Sequence, residues 1–467
     1  MTFPAYSAYR DSGVEWLGEV PEHWGVKQLR YLGRFRKGLT ITKADLADTG
    51  IPCLNYGEVH SLYPFEVNQD IQPLKSVPVE YLKTDPSACV KYGDFVFADT
   101  SEDLDGVGNF THVSGMEPLF SGYHTIIYSL DSEVSSRFLA YCLDSFAFRT
   151  QLRMGVKGVK VFSVTQEILR GGTAWLPTTA EQTQIARFLD HETARIDALI
   201  AEQQRLIELL KEKRQAVISR AVTKGLDPTV PMKDSGVEWL GEVPAHWIIS
   251  QLKFNTTEMQ TGPFGSQLHA EDYVDGGIPL INPAHMVDGR IIPDLQVSVD
   301  EKTWSRLSRH ALKAGEIIFA RRGELGRCAV VSKEQEGWLC GTGSLKASLN
   351  SRLSSEYAYL LVTSKGVVSE LSLESKGSTM ENLNTETLGR VRLPLPPLSE
   401  QEAILEHVHE IAGQFAALIH EAEDGIKLIT ERRSALISAA VTGKIDVRGW
   451  QPPPHTQAPD SAVVEAN

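Results

Sequence analysis

Residues 11–24 read DSGVEWLGEVPEHW, and residues 234–247 read DSGVEWLGEVPAHW. Only Glu22 and Ala245 differ, leaving thirteen matches in fourteen positions, so the chain carries two copies of one unit. Outward from this block the match continues. GIPCLN at 50–55 answers GIPLIN at 277–282, GDFVFA at 93–98 answers GEIIFA at 315–320, and Lys157-Gly158 answers Lys376-Gly377. The numbering offset runs 223, 227, 222 and 219, so insertions are a few residues each. A period of about 20–50 residues would mean a solenoid. This period is far longer and predicts a tandem pair of whole domains.

With 467 residues the chain has length for about three domains, and its 42% apolar content is that of a globular protein. Cys53, Cys89, Cys142, Cys328 and Cys340 show no C-x-x-C spacing and an odd count. That favours reduced cytoplasmic thiols over a disulfide framework or a zinc site. The start MTFPAYSAYRDSG lacks a basic segment and an apolar segment, so it does not read as a signal peptide. No stretch approaches the roughly 18 apolar residues of a membrane span, and the expected location is cytoplasmic. The net charge of −14 counts against a nucleic-acid binder, whose footprint is usually basic. Binding responds to local potential, however, not to the sum.

Each copy reads as a mixed α/β part followed by one long helix. The apolar runs 95–97, 125–128, 317–319 and 328–331 lie between Gly, Pro, Asn and Asp and predict strands. Residues 138–143 and 357–361 predict short helices. Leu176-Pro177 and Leu395-Pro396-Pro397 end a strand, because proline removes a donor and pushes its predecessor out of helical space. Beyond them a coiled-coil seam is expected through Ile185, Leu189, Ile196, Leu199, Leu206, Leu210, Val217 and Ala221. The second copy offers Ile404, Val408, Ile411, Phe415, Leu418, Ile426, Ile429, Leu436 and Ala440. About 40 residues at 1.5 Å each give rods of roughly 60 Å. The short linker 225–233 favours antiparallel pairing, with pseudo-two-fold symmetry. The tail 451–467 is Pro-rich and aperiodic and reads as disordered.

Catalytic motifs are missing. There is no G-x-x-x-x-G-K-S/T loop, no H-E-x-x-H and no zinc-spaced cluster. Asn282-Pro283-Ala284-His285 lacks the second proline and aromatic of an adenine-methyltransferase motif, so Asn282 reads as a turn residue. His23 and His246, beside Trp24 and Trp247, read as packing histidines. The chain is not expected to be an enzyme.

The chain resembles the specificity subunit of type I restriction–modification enzymes. The resemblance rests on the D-S-G-V-E-W-L-G-E-V-P-x-H-W head of each unit and on L-P-x-x-x-E-Q-x-x-I at 176–185 and 395–404. It rests also on A-V-I-S-R-A-V-T and A-L-I-S-A-A-V-T closing the helices, T-G-K-I-D at 442–446, T-G-P-F-G-S at 261–266, A-R-R-G-E-L-G-R at 320–327 and G-S-T-M-E-N-L-N at 377–384. It covers everything except the tail. The fold it implies is α+β: two target-recognition domains (1–175 and 234–394) separated by spacer helices (176–224 and 395–446) that form an antiparallel coiled coil. The function it implies is non-catalytic reading of a bipartite, asymmetric site on double-stranded DNA, one domain per half-site. The implied partners are two methyltransferase subunits, using S-adenosylmethionine, and nuclease/translocase subunits, using ATP and Mg. No cofactor is implied on this chain. Glu181, Gln182, Ile185, Glu400, Gln401 and Ile404, at the helix heads, are the candidate docking residues.

The duplication suggests which residues read bases. Positions equal in both copies build the scaffold, while positions that differ at equivalent places can read different sequences. After the shared strand, Asp99, Thr100 and Ser101 face Arg321 and Arg322. After the shared Lys-Gly, Lys160 and Ser163 face Ser378 and Asn382. Arginine binds guanine bidentately, asparagine binds adenine and carboxylates accept from cytosine. Lys157 and Lys376 suit phosphates, which position without specifying. Ser266 and Arg327, in the family's motifs, complete the set. The competing readings are a two-headed coiled-coil protein scaffold without DNA binding, and a chain fusing recognition with catalysis.

Overall fold

The computed structural model describes residues 3–131, 133–158, 160–323, 325–375 and 383–453. Lys376, Ser378 and Asn382, and the tail beyond residue 453, lie outside the described residues. The chain divides into two compact units, Met1–Gln204 with Asp424–Asn467, and Arg205–Glu423. The division falls inside both long helices, so each unit owns the start of one helix and the end of the other.

In the first unit the duplicated head block folds as a hairpin, Tyr9–Asp11 against Glu19–Pro21. A five-stranded sheet follows in the order Gly33–Lys37, Thr125–Leu130, Phe95–Ala98, Phe110–Val113, Phe65–Val67, with the last pair parallel. A four-stranded sheet runs Ser76–Val77, Ile51–Leu54, Leu119–Ser121, Cys89–Val90. The strand Phe95–Ala98 is buried at every position, as its unbroken apolar run requires. Phe95, Phe97, Phe110, Phe138 and Tyr128 fill the core with Trp24 and Trp175. The strand Thr173–Leu176 ends where the proline-based reading puts its end, and pairs with Gly25–Gln28.

The first long helix, Thr179–Lys224, starts on a capping box. Glu181 N donates to Thr178 Oγ1 at 3.3 Å, and the Glu181 carboxylate accepts from the Thr178 amide and hydroxyl. The end of the second long helix, Leu398–Val441, closes the same core. Ile437, Ala440 and Val441 are buried in it, Trp175 Nε1 donates to the Val441 carbonyl, and Arg433 pairs with Asp197 at 2.8 Å. Residue numbers rise on one helix as they fall on the other, so within this unit the two segments are antiparallel.

The second unit repeats the plan. Its main sheet runs Thr256–Thr261, Ser344–Leu349, Ile317–Ala320, Cys328–Val330. Tyr357 Oη donates to the Val222 carbonyl at 2.8 Å, and Ala221 and Val222 share a core with Trp247, Ile404, Leu405 and Val408. Here too the end of one helix meets the start of the other.

The copies conserve a charge while moving its partner. The acidic residue that precedes the central strand is Asp94 in one unit and Glu316 in the other. Asp94 pairs with Arg36 at 3.2 Å, and burial pushes its carboxyl above the usual range. Glu316 pairs with Lys346 at 3.4 Å, both nearly fully buried. The cross-strand pair is Arg36–Ile127 in the first sheet and Gln260–Lys346 in the second. The cation has changed strands within a single pair. Removing one partner of such a pair would leave a buried charge uncompensated.

Candidate nucleic-acid interface

The two divergent segments lie side by side. Thr100–Ser101 pairs antiparallel with Phe162–Ser163, and Val164 N donates to the Asp99 carbonyl at 2.8 Å. In the second unit the equivalent bond runs from Leu383 N to the Arg321 carbonyl, also at 2.8 Å. A third segment completes the rim. Asp99 N donates to the His124 carbonyl at 3.1 Å, and Arg321 N to the Gly343 carbonyl at 2.8 Å. One backbone frame therefore holds different side chains in the two units.

The third segment was missed from sequence, although SGYHT at 121–125 and CGTGS at 340–344 differ in the same telling way. Its glycine is fixed by close approach. A Cβ on Gly122 would stand 1.9 Å from Asn55 Oδ1, and one on Gly341 would stand 2.2 Å from Asn282 Oδ1. Asn282 is thus the turn residue expected, and it precedes the 3-10 turn Pro283–His285. His124 is exposed with φ 55°, and its Nδ1 lies 3.2 Å from Asp99 Oδ1. Tyr56 also joins the rim. Burial pushes its phenol up, the nearby Glu102, Asp103 and Asp99 add to that, and a hydrogen bond with Thr100 opposes it.

Of the expected readers, Lys157, Lys160, Ser163, Ser266 and Arg322 are exposed and Thr100 is half-buried. Ser101 is not available. It is fully buried, and its Oγ donates to the Asp103 carbonyl at 2.7 Å, so its role is to shape the 101–103 turn. Arg321 is half-buried, with Nε donating to the Leu383 carbonyl at 3.2 Å, so it ties the rim together. Arg327 is half-buried beside the Pro283 carbonyl. Lys157 and Ser163 line a cleft of about 830 Å³ with Trp16 of the head block. The rims differ in charge. Asp99, Glu102 and Asp103 crowd the first, while Arg321 and Arg322 occupy the second.

The helix-head residues are placed inward. Ile185 and Ile404 are fully buried in their cores. Gln182 accepts from Ser135 N at 2.9 Å and donates to the Pro177 carbonyl at 2.9 Å. Gln401 accepts from Ser354 N at 2.9 Å and donates to the Pro396 carbonyl at 3.0 Å. These four present no surface to a partner in this chain; they fasten each helix to its own domain. Glu181 and Glu400 receive the head-block histidines, His23 at 2.9 Å and His246 at 2.8 Å. Burial pushes the Glu181 carboxyl up, but hydrogen bonds from His23 and Thr178 prevail and hold it below the usual carboxylate range. Among the described residues no helix is long and apolar enough to cross a membrane, and no cluster of His, Cys, Asp or Glu could hold a metal ion.

Comparison with known proteins agrees with this geometry. Residues 259–427 match the family model described as the type I restriction modification DNA specificity domain. The chain is 21% identical over 447 residues to the type I restriction enzyme EcoKI specificity subunit of Escherichia coli K12, covering 93% of this chain and 91% of that one. It is 24% identical over 309 residues to the MjaVIII specificity subunit of Methanocaldococcus jannaschii, covering 64% and 68%. A solved chain from work on complex assembly and conformational transition of the type I R-M system superposes with a TM-score of 0.65 at 16% identity, covering 91% and 99%. That last likeness shows the fold. Residues 259–427 thus carry the type I restriction modification DNA specificity domain, and over most of its length the chain, with two repeats on one frame and a long helix after each, is similar to the specificity subunits of type I restriction enzymes.

Proposed function

We propose that this chain reads a bipartite, asymmetric site on double-stranded DNA, one half-site per repeat, and directs other subunits to it without catalysing a reaction itself. The observation that carries the reading is the shared backbone frame, Asp99–Val164 and Arg321–Leu383, with unlike side chains on it. A frame held constant while its exposed residues change is what two readers of different sequences need. Carboxylates on the first rim accept from cytosine N4, and an exposed arginine on the second donates to guanine O6 and N7. The partners proposed are two methyltransferase subunits carrying S-adenosylmethionine and nuclease subunits using ATP and Mg. Their docking surface lies on the exposed helix faces, because the helix-head residues are occupied.

The test is genome-wide mapping of N6-methyladenine with and without the gene, and with Arg322→Ala. Deletion should erase one bipartite motif with unlike halves. Arg322→Ala should relax only one half, at about 1–3 kcal/mol of lost discrimination. A motif that survives deletion sinks the reading, and a perfect palindrome sinks the assignment of different specificities.

A further inference from the structure

A basic cleft in the first unit has no part in the rim described above. It encloses about 940 Å³ beside the edge strand Gly33–Lys37 and is lined by Arg30, Arg34, Arg36, Lys91 and Arg170, against only two carboxylates, Asp94 and Asp131. Those two are taken, by Arg36 at 3.2 Å and by Arg34 at 2.6 Å. The side chains of Arg30, Lys91 and Arg170 are exposed and form no salt bridge among the described residues. Both arginines are held in place by aromatic rings. Arg30 lies over Tyr31 at 5.4 Å and Arg170 over Phe35 at 5.9 Å.

The second unit keeps two of these five charges and loses three. By strand register and repeat offset, the second unit has Lys253, Glu258, Gln260, Lys313 and Gly389 at the corresponding places. On a chain of net charge −14, gathering unpaired cations at one place costs self-repulsion and creates a local positive potential that suits a polyanion. The cleft and the rim stand at opposite ends of the central strand Phe95–Ala98, with Asp94 lining the cleft and Asp99 on the rim. Five residues at ~3.3 Å each separate them by about 17 Å along the strand, roughly five base steps at ~3.4 Å per phosphate. The helix Gln166–Gly171, which begins three residues after Ser163, carries Arg170 to the cleft.

We propose that this cleft clamps the phosphodiester backbone of the DNA whose bases the first rim reads, without sequence preference, and that the second repeat, which keeps only Lys253 and Lys313 of the five cations, has a weaker counterpart. The inference rests on the DNA-reading function above and adds an asymmetry to it. Non-specific phosphate contacts position the reader and set the salt dependence.

The experiment uses the full chain assembled with its methyltransferase subunits and replaces Arg30→Gln, Lys91→Gln and Arg170→Gln, singly and together. Binding to a duplex bearing the mapped motif and to an unrelated duplex is titrated against salt. The slope of log affinity against log salt should become shallower by roughly 0.9 per lost contact. Affinity should fall by the same factor for both duplexes, and the methylated motif should stay the same. An unchanged slope in a complex that still binds its motif overturns the clamp and leaves the reading intact. Failure of the variants to assemble, with DNA binding by the assembled fraction unchanged, assigns the cleft to an acidic protein surface and also overturns it. If the wild-type complex itself shows no motif preference, the DNA-reading function fails, and the clamp with it.

Discussion

His112, on the strand Phe110–Val113, is 2% exposed and lies 5.3 Å from the Phe95 ring. Its Nε2 is 3.1 Å from Ser136 Oγ, and its Nδ1 is buried without a partner. Burial first, and the Arg137 charge second, push the imidazole down to about 4. The unfolded chain, titrating near 6.5, therefore binds a proton that the folded chain refuses. The stabilisation is complete above pH 6.5 and is lost as pH falls towards 4, by roughly 3 kcal/mol across that window. Strand register places Val330 at the equivalent point of the second repeat. His112→Val should flatten the fall of melting temperature between pH 6.5 and 4; a variant with the wild-type slope would show that other groups carry the acid sensitivity. The head-block tryptophans show the limit of reading such residues from a motif. Trp239 Nε1 donates to Glu370 at 2.8 Å, and Gly366 lies so close that a Cβ there would meet the ring at 2.0 Å. The repeat offset puts Ala147 where Gly366 stands, and Trp16 is left 37% exposed over the cleft with Lys157. Identical motifs thus acquire different surroundings from residues far along the chain.

Among elements, strands and short helices were legible because glycine and proline bound their apolar runs. The helix seam was legible in period, and Ile185, Leu189, Ile196, Ala221, Ile404, Val408 and Ala440 are buried as expected, but its phase slipped at three places. Leu199, Leu206 and Leu418 were assigned to it, and all three are exposed, at 42%, 42% and 49%. The inward positions are their neighbours Ile200, Ile207 and Ile419, with Ile207 only 7% exposed. Each error falls on an adjacent Leu-Ile pair, where a one-residue step is about 100° of helix and the apolar pattern alone cannot choose. Ile207→Ala should therefore cost about 2 kcal/mol or more of stability, and Leu206→Ala less than about 0.5 kcal/mol, as urea unfolding would measure. Equal losses would mean that both residues face the interior. The Glu-Gln pair at each helix head carries the opposite lesson. Gln182 and Gln401 recur because both copies need the same two bonds, to Ser135 and Pro177 or to Ser354 and Pro396. Identity between copies marked scaffold there, as it did for the central strands, and a docking role did not follow from it. The rims were legible for the converse reason, since their segments are where the copies part.

At the scale of the whole molecule, the two long helices run 46 and 44 residues without a break, and neither contains proline. At 1.5 Å per residue each is about 66–69 Å long. A flexible linker would let two readers engage DNA over a range of separations, whereas dimeric readers on half-sites need a fixed one. We take the helices as the ruler that sets the length of the unread gap between half-sites. Lengthening only one of them would shift its buried residues against the other, because each unit's core takes the start of one helix and the end of the other. The clean variant therefore inserts one turn in both, between Ile185 and Val217 and at the matching place in Leu398–Val441. Four residues add about 6 Å, close to two base steps at ~3.4 Å. Methylation mapping of that variant should return the same two half-sites with a gap longer by about that amount. An unchanged gap, in a complex that still methylates, would mean that the spacing is set by the subunits bound to the chain and not by the chain's own helices.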